Sequence, residues 1–179
     1  MRRFFLTLAA LALGGSVGSG PVLAQTPSPT PANPGLRPPP VTVTYAAGWN
    51  LVAGPAGTII AGANGPLYTF QAGGSTYETL PASSPLQPGV GYWAYFAQAS
   101  SQTLPAGPTQ PVSATRQLPA GQFIMIGNPG TRPATVAGAD VVYIYDPAQG
   151  YQPASVLQPG QGAWAFSASE GSVSISTQQ

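Results

Sequence analysis

Residues 86–95 read Leu-Gln-Pro-Gly-Val-Gly-Tyr-Trp-Ala-Tyr, and residues 157–166 read Leu-Gln-Pro-Gly-Gln-Gly-Ala-Trp-Ala-Phe. A second pair of similar stretches, residues 48–58 and 121–131, precedes them. Three aromatic residues between the stretches are also repeated: Tyr68, Phe70 and Tyr77 correspond to Tyr143, Tyr145 and Tyr151. The copies share glycine, proline, aliphatic and aromatic residues but no residue type that carries catalysis. The duplication therefore predicts a repeated scaffold, with insertions between the blocks placed in loops.

Both copies are predicted to form β-strands. Residues 41–45 alternate β-branched side chains, and residues 67–70 and 77–80 flank a Gly-rich stretch typical of a hairpin. Glycine and proline, 23 and 22 in the full chain, interrupt nearly every candidate helix after the N-terminal segment. The predicted fold is all-β, with two pseudo-symmetric repeats, residues 41–110 and 111–179, that share one core as a sandwich or a partly closed barrel. Two independent small domains are the alternative.

The N-terminus has the pattern of a secretory signal peptide. Arg2 and Arg3 precede an apolar run, residues 4–13, and small residues follow as far as Ala24. These features predict a cleaved signal over residues 1–24. The apolar run is too short for a bilayer anchor, so no membrane insertion is expected after the signal is removed. The paired arginines also fit the twin-arginine export pattern, which leaves the export route open.

A proline-rich stretch, residues 25–40, follows the signal and reads QTPSPTPANPGLRPPP. Proline at this density favours an extended linker without regular hydrogen bonds. The signal and linker together predict a protein that is secreted to the extracellular space or the cell surface. In a Gram-negative type of envelope, the expected location is the periplasm.

Charged residues are scarce after residue 24. Three arginines remain, Arg37, Arg116 and Arg132, against four acidic residues, so the formal charge is 3 − 4 = −1. Lysine, histidine and cysteine are absent from the sequence. Phosphate backbones and acidic membrane surfaces are bound by clustered cations, so neither nucleic acid nor an anionic membrane is expected as a partner.

The residue types needed for most enzymatic sites are missing. Without histidine, lysine or cysteine, the sequence cannot supply a Ser-His triad, a lysine-assisted serine, or an imidazole or thiolate metal site. The acidic residues Glu78, Asp140, Asp146 and Glu170 have the sequence context of turns, not of a positioned carboxylate pair. We therefore expect a non-enzyme with no catalytic residue, no metal and no cofactor.

Strand alternation divides the aromatic residues between two faces. The face that stays large in both copies is predicted to be the structural core: Trp93, Tyr95, Trp164 and Phe166, with Leu51 and Ile124. The other face changes between the copies, from Trp49, Tyr92 and Phe96 in the first to Gln122, Ala163 and Ser167 in the second. Trp49, Tyr92 and Phe96 are therefore candidate ligand-binding residues. Alternatively, they pack under a loop, against the linker or against the other copy.

The blocks resemble a β-rich module of bacterial secreted and cell-surface proteins. Its members read Gly-Trp-Asn-Leu near the start and Leu-x-Pro-Gly-x-Gly-Tyr-Trp near the end. Residues 48–51 and 86–93 match these motifs, whereas the second copy departs at residues 122–123 and at Ala163. The resemblance extends over residues 41–175. It implies an extracellular, non-catalytic accessory domain and supplies no binding residue.

Two functions are consistent with these features. The first is a secreted, non-catalytic interaction module of the cell surface that binds an extracellular glycan or protein through the repeat 1 aromatics. The second is a structural subunit that self-associates into an extracellular layer, matrix or filament, because low net charge removes the repulsion that keeps molecules apart.

Overall fold

The structure, a computed structural model, describes residues 40–106 and 112–178. Within these ranges the chain forms fourteen strands and no helix. The strands are β1 (Val41–Tyr45), β2 (Gly48–Val52), β3 (Leu67–Thr69), β4 (Glu78–Leu80), β5 (Tyr92–Phe96), β6 (Ser100–Leu104), β7 (Ser113–Leu118), β8 (Gln122–Gly127), β9 (Ala134–Ala137), β10 (Val141–Asp146), β11 (Gly150–Pro153), β12 (Val156–Leu157), β13 (Gly162–Ser167) and β14 (Gly171–Thr177). The predicted signal peptide, and the linker as far as residue 39, lie outside the described residues. In the described part, no helix is long and apolar enough to cross a membrane.

Each repeat packs two antiparallel sheets against each other. Repeat 1 contains the sheets β1-β6 and β2-β5-β3-β4, and repeat 2 contains β7-β14-β9-β12 and β8-β13-β10-β11. Tyr45 of β1 and Val52 of β2 belong to one core cluster, while Ile175 of β14 and Ile124 of β8 belong to another. None of the sheets formed by the described strands closes into a barrel. The predicted all-β sandwich is therefore confirmed.

Two of these sheets correspond strand for strand: β2-β5-β3-β4, named sheet I, and β8-β13-β10-β11, named sheet II. Their registers agree as well. Trp93 of β5 lies opposite Tyr68 of β3, and Trp164 of β13 lies opposite Tyr143 of β10. The duplication seen in the sequence is thus repeated in the pairing of the strands.

The sheets that pack against sheets I and II differ between the repeats. The sheet β1-β6 has two strands, whereas its counterpart β7-β14-β9-β12 has four. In repeat 1, the loop that contains Ile59 and Ala61 takes the place of a further strand, and the side chain of Gln102 hydrogen-bonds to it. Its Oε1 accepts a hydrogen bond from the Ala61 amide at 3.1 Å, and its Nε2 donates to the Ile59 carbonyl at 2.6 Å. One buried amide thereby satisfies backbone groups that a strand ladder would otherwise pair.

Buried apolar side chains form two clusters, one in each repeat. The repeat 1 cluster contains three aromatic residues, Tyr45, Tyr92 and Phe96. The repeat 2 cluster is aliphatic, with Ala163 at the position of Tyr92. The core that the sequence predicts as shared is therefore divided between the two repeats.

The side of the strands that faces the core is the reverse of the one predicted. Tyr92 and Phe96, expected to bind ligand, are buried between the sheets of repeat 1, at 1% and 0% exposure. The four aromatic residues expected in the core lie on the outer side and are exposed or only partly buried: Trp93, Tyr95, Trp164 and Phe166. The reason is steric, because small inner residues such as Ala94 and Ala165 leave room for the opposing sheet.

The counterpart of Trp49 also differs from the sequence alignment. Trp49 lies opposite Tyr95 in sheet I, and Phe123 lies opposite Phe166 in sheet II. Phe123, and not Gln122, is therefore the equivalent of Trp49. The shift of one residue means that both repeats carry an aromatic ring at this position.

Leu51 and Ile124 are buried, as predicted, but on opposite sides of their sheets. Ile124 belongs to the repeat 2 core. Leu51 pairs with Trp93 and so lies on the outer side, as does its buried counterpart Met125, which pairs with Trp164. Each sheet thus has a buried aliphatic residue on the side that carries the outer rings.

The repeats are joined where the backbone of one meets the backbone of the other. Two equivalent β-bridges cross the junction, Val52 with Gln161 and Val90 with Ile126. The last glycine of each Leu-Gln-Pro-Gly-x-Gly motif lies at this contact. A Cβ on Gly162 would be 2.9 Å from the Val52 carbonyl oxygen, and one on Gly91 would collide with the Ile126 carbonyl oxygen. The motif therefore keeps glycine because any side chain would separate the two repeats.

Candidate functional site

Most aromatic residues in the described part of the chain lie on the outer sides of sheets I and II. Three are buried in the repeat 1 core instead, Tyr45, Tyr92 and Phe96. The other twelve form a surface that we name the aromatic face: Trp49, Tyr68, Phe70, Tyr77, Trp93, Tyr95, Phe123, Tyr143, Tyr145, Tyr151, Trp164 and Phe166. A contiguous apolar surface of this kind is typical of a binding site.

The aromatic face is the same in both repeats. Its twelve members form six equivalent pairs, namely Trp49 and Phe123, Tyr68 and Tyr143, Phe70 and Tyr145, Tyr77 and Tyr151, Trp93 and Trp164, Tyr95 and Phe166. By contrast, the core aromatics Tyr92 and Phe96 are replaced by Ala163 and Ser167. The duplication therefore keeps the outer rings more strictly than it keeps the aromatic packing of the core.

Ring contacts within one repeat recur in the other. The Trp49 ring centroid is 5.4 Å from that of Tyr95 and 6.4 Å from that of Trp93. The equivalent distances from Phe123 are 4.8 Å to Phe166 and 6.3 Å to Trp164. Aromatic pairs at such spacings attract one another, so each ring is oriented by its neighbours.

Rings from different repeats also touch, and these contacts are reciprocal. Trp93 of repeat 1 lies 5.0 Å from Tyr145 of repeat 2, and Trp164 of repeat 2 lies 6.0 Å from Phe70 of repeat 1. Trp164 also lies 6.2 Å from Tyr77. Because Phe70 is the equivalent of Tyr145, the same pair of positions meets twice with the repeats exchanged. Such reciprocity is the signature of two-fold symmetry, here between two halves of one chain.

Two open grooves run across the aromatic face. Groove 1, of about 400 Å³, is lined by Trp49, Tyr68, Tyr77, Trp93, Tyr145 and Tyr151. Groove 2, of about 440 Å³, is lined by Phe123, Tyr143, Tyr151 and Trp164. The four residues of groove 2 are the equivalents of four residues of groove 1, and Tyr151 lines both. The volumes lie within the range of about 300–1,000 Å³ that is usual for ligand sites.

Five rings of the aromatic face are exposed to solvent: Trp49, Tyr77, Tyr95, Phe123 and Tyr151. Tyr151 has the most accessible ring of the five, at 54%. The other seven rings are partly buried and support them from the side. Exposed rings held by their neighbours present a preformed apolar surface, which lowers the entropy cost of binding a ligand.

The grooves contain hydrogen-bonding groups without charge. Their linings have no Arg, Asp or Glu, and the polar side-chain groups of the lining residues are tyrosine hydroxyls and tryptophan indole N–H groups. An unperturbed tyrosine has a pKa of about 10. Burial raises the pKa of Tyr151 above this value, although a hydrogen bond with Trp164 opposes the shift. Both grooves are therefore neutral at physiological pH.

Three acidic side chains, those of Glu78, Asp140 and Asp146, accept hydrogen bonds from neighbouring groups. Asp140 accepts hydrogen bonds from the Ser167 hydroxyl at 3.1 Å and from the Ala168 amide at 2.7 Å. Asp146 accepts two amide hydrogen bonds within the turn that follows β10, and Glu78 accepts one from Gln71. No group of three His, Cys, Asp or Glu that could hold a metal occurs among residues 40–106 and 112–178.

The sequence predicted one residue of this surface as a candidate ligand contact, Trp49, and the structure places it in the lining of groove 1. Four of the others were assigned to the core, namely Trp93, Tyr95, Trp164 and Phe166, and the remaining seven were given no role. A usable signal was present in residues 122–127, where Phe123 precedes an aliphatic run and thus takes the place of Trp49. Aligning Phe123 with Trp49 would have shown that the outer rings are duplicated.

Comparisons with models of protein families, with curated protein sequences and with solved structures found no match to this chain.

Proposed function

We propose that this protein is a secreted, non-catalytic interaction module of the cell surface that binds a neutral extracellular glycan through its aromatic face. The observation that carries the proposal is the duplication of six outer aromatic positions. Two of these pairs, Trp49 with Phe123 and Tyr77 with Tyr151, are exposed in both copies. Exposed rings contribute little to the core, so their repetition is better explained by a ligand than by folding.

The chemistry of the grooves favours carbohydrate. Sugar rings whose hydroxyls are equatorial expose C–H groups on their faces, and these apolar faces stack on aromatic rings. Tyrosine hydroxyls at the same surface can hydrogen-bond the sugar hydroxyls. Because the grooves lack charged side chains, a neutral β-1,4-linked chain of glucose or N-acetylglucosamine fits them better than an acidic polysaccharide.

The remaining features support a binding role outside the cytoplasm. Residues 1–24 have the pattern of an export signal. Three of the four acidic side chains accept hydrogen bonds from neighbouring protein groups, whereas acid–base catalysis needs a carboxyl directed at a substrate.

A glycan array of neutral β-1,4-linked oligosaccharides tests this proposal. We expect wild type to bind, and Trp49→Ala and Phe123→Ala each to weaken binding by about 5- to 30-fold, since a stacked ring contributes roughly 1–2 kcal/mol. Ile59→Ala is the matched control, because Ile59 is an exposed apolar residue that lines neither groove. Equal binding by all four proteins, or no binding by wild type, would reject the proposal.

A structural subunit is the second candidate, favoured by the exposed rings and the low charge. An apolar surface of this size also suits self-association into a layer, matrix or filament. Size-exclusion chromatography over a range of concentrations separates the two candidates. A protein that stays monomeric at all concentrations excludes the assembly role.

A further inference from the structure

We infer that the molecule has two ligand sites of the same kind, groove 1 and groove 2, related by an internal two-fold axis. This inference rests on the proposed glycan-binding function and adds the number and arrangement of its sites. The sequence-based expectation placed ligand binding in repeat 1 alone.

The two-fold relation is supported by backbone as well as ring contacts. The bridge between Val52 and Gln161 is the counterpart of the bridge between Ile126 and Val90, with the repeats exchanged. Sheet I and sheet II therefore meet through the same surfaces, and their outer sides form one continuous face. Trp93 of repeat 1 contacts Tyr145 of repeat 2, and in the equivalent contact Trp164 of repeat 2 meets Phe70 of repeat 1.

The grooves follow the same symmetry. Each has a ring from the first strand of its sheet at one side, Trp49 in groove 1 and Phe123 in groove 2. Each has the motif tryptophan beside that ring, Trp93 or Trp164. A ligand that stacks in one groove therefore finds the equivalent rings in the other.

The grooves are similar but not equal. Groove 1 has four tyrosine residues in its lining and groove 2 has two, and the indole of Trp49 is replaced by the smaller phenyl ring of Phe123. A larger ring buries more apolar surface against a sugar, and additional hydroxyls offer more hydrogen bonds. Groove 1 is therefore the tighter site.

A shared residue places the two sites next to each other. Tyr151 lines both grooves, so a chain that fills one groove extends towards the other. Linked binding events raise the apparent affinity by about 10²- to 10⁴-fold when both sites can be occupied together. A long glycan is thus held more tightly than a short one.

Calorimetric titration with soluble cello- and chito-trisaccharides tests the number of sites. We expect two sites in wild type. In Trp49→Ala and in Phe123→Ala, one site should keep its affinity and the other should bind about 5- to 30-fold more weakly. Ile59→Ala is the control. For the corresponding hexasaccharides, each single variant should lose at least about tenfold in affinity, because avidity is removed. One site in wild type, abolished by one variant and unaffected by the other, overturns the two-site inference but leaves glycan binding intact.

The wild-type protein offers a second readout that does not depend on variants folding. Its three tryptophan indole N–H signals report the grooves separately in an NMR titration with the same trisaccharides, since Trp49 and Trp93 line groove 1 and Trp164 lines groove 2. We expect all three signals to shift. If only the signals of one groove shift, either Trp49 and Trp93 or Trp164, the two-site inference is overturned. If no indole signal shifts, the proposed glycan binding is rejected as well.

Discussion

Neighbouring residues of β5 serve different purposes. Tyr92 fills the core of repeat 1 and hydrogen-bonds the Gln87 amide through its hydroxyl. Trp93, one residue later, points to the outer side and packs against a ring of the other repeat. Core packing and the proposed binding surface therefore use alternate positions of the same strand, so substitutions should separate their effects on stability and on binding.

Truncation of a core ring should cost far more stability than truncation of an outer ring. Phe96, at 0% exposure, stacks on Tyr45 with ring centroids 5.1 Å apart. We expect Phe96→Ala to lower the free energy of unfolding by about 3–5 kcal/mol, because it leaves a cavity. Trp49, at 45% exposure, should cost less than about 1 kcal/mol when changed to alanine. Urea unfolding checks both values, and equal losses would show that the assignment of sides is wrong.

The buried hydroxyl of Tyr45 predicts a dependence of stability on alkaline pH. Burial raises the Tyr45 pKa well above its usual value, and the hydroxyl donates to the Gly160 carbonyl at 3.0 Å. Tyrosine in the unfolded chain ionises near pH 10. The stability contribution of the neutral hydroxyl is therefore complete below about pH 10 and is lost as the pH rises above it.

Thermal unfolding between about pH 8 and pH 11 measures this effect around the tyrosine pKa. Tyr45→Phe should be less stable than wild type at pH 8 by about 1 kcal/mol, because the hydroxyl's hydrogen bond to the Gly160 carbonyl is lost and only the Ala53 amide still donates to that carbonyl. Its stability should then fall less steeply than that of wild type as the pH rises. Parallel curves for the two proteins would contradict the role given to Tyr45.

At the scale of the element, the repeated motif encodes a junction. The turn before each tryptophan strand ends in a glycine that contacts the other repeat, and the strand then presents its tryptophan outward. This explains why the Leu-Gln-Pro-Gly-x-Gly motif and the tryptophan are kept together. The last glycine of the motif lets the two repeats come into contact, and the tryptophan contributes a ring to the aromatic face that this contact creates.

Replacing the junction glycine should destabilise the molecule. A Cβ at Gly91 would collide with the Ile126 carbonyl oxygen. We therefore expect Gly91→Ala to lower the free energy of unfolding by about 1–3 kcal/mol through overpacking. Gly171→Ala is the matched control, since a Cβ there has no heavy atom within 4 Å. If chemical denaturation gives the same stability for both variants, the junction does not depend on glycine.

The sequence predicted the strands and their alternation but placed the wrong side inward. Alternation grouped Trp93 with Tyr95 and Tyr92 with Phe96 correctly. It could not decide which group faces the opposing sheet, because both contain large apolar rings that are buried in most proteins. The decision depends on small residues such as Ala94 and Ala165 and on the distance between sheets, which arises only when the strands are packed.

At the scale of the whole molecule, the duplication creates a surface that neither repeat has alone. The internal two-fold relation brings two outer sheet surfaces together into one face, which a single repeat does not possess. The class of fold and the two repeats were predictable from the sequence, because they follow from local patterns. The aromatic face was not, because it depends on contacts such as Trp93 with Tyr145, which are distant in sequence.

Retention of the protein on insoluble cellulose and chitin tests the central claim most directly. The comparison is between wild type and the double variant Trp49→Ala/Phe123→Ala, with folding of both verified by circular dichroism. If the outer aromatic face is the binding surface, wild type is retained and the double variant is lost to the wash. Retention of the double variant at the level of wild type, or passage of folded wild type through both matrices, would contradict it.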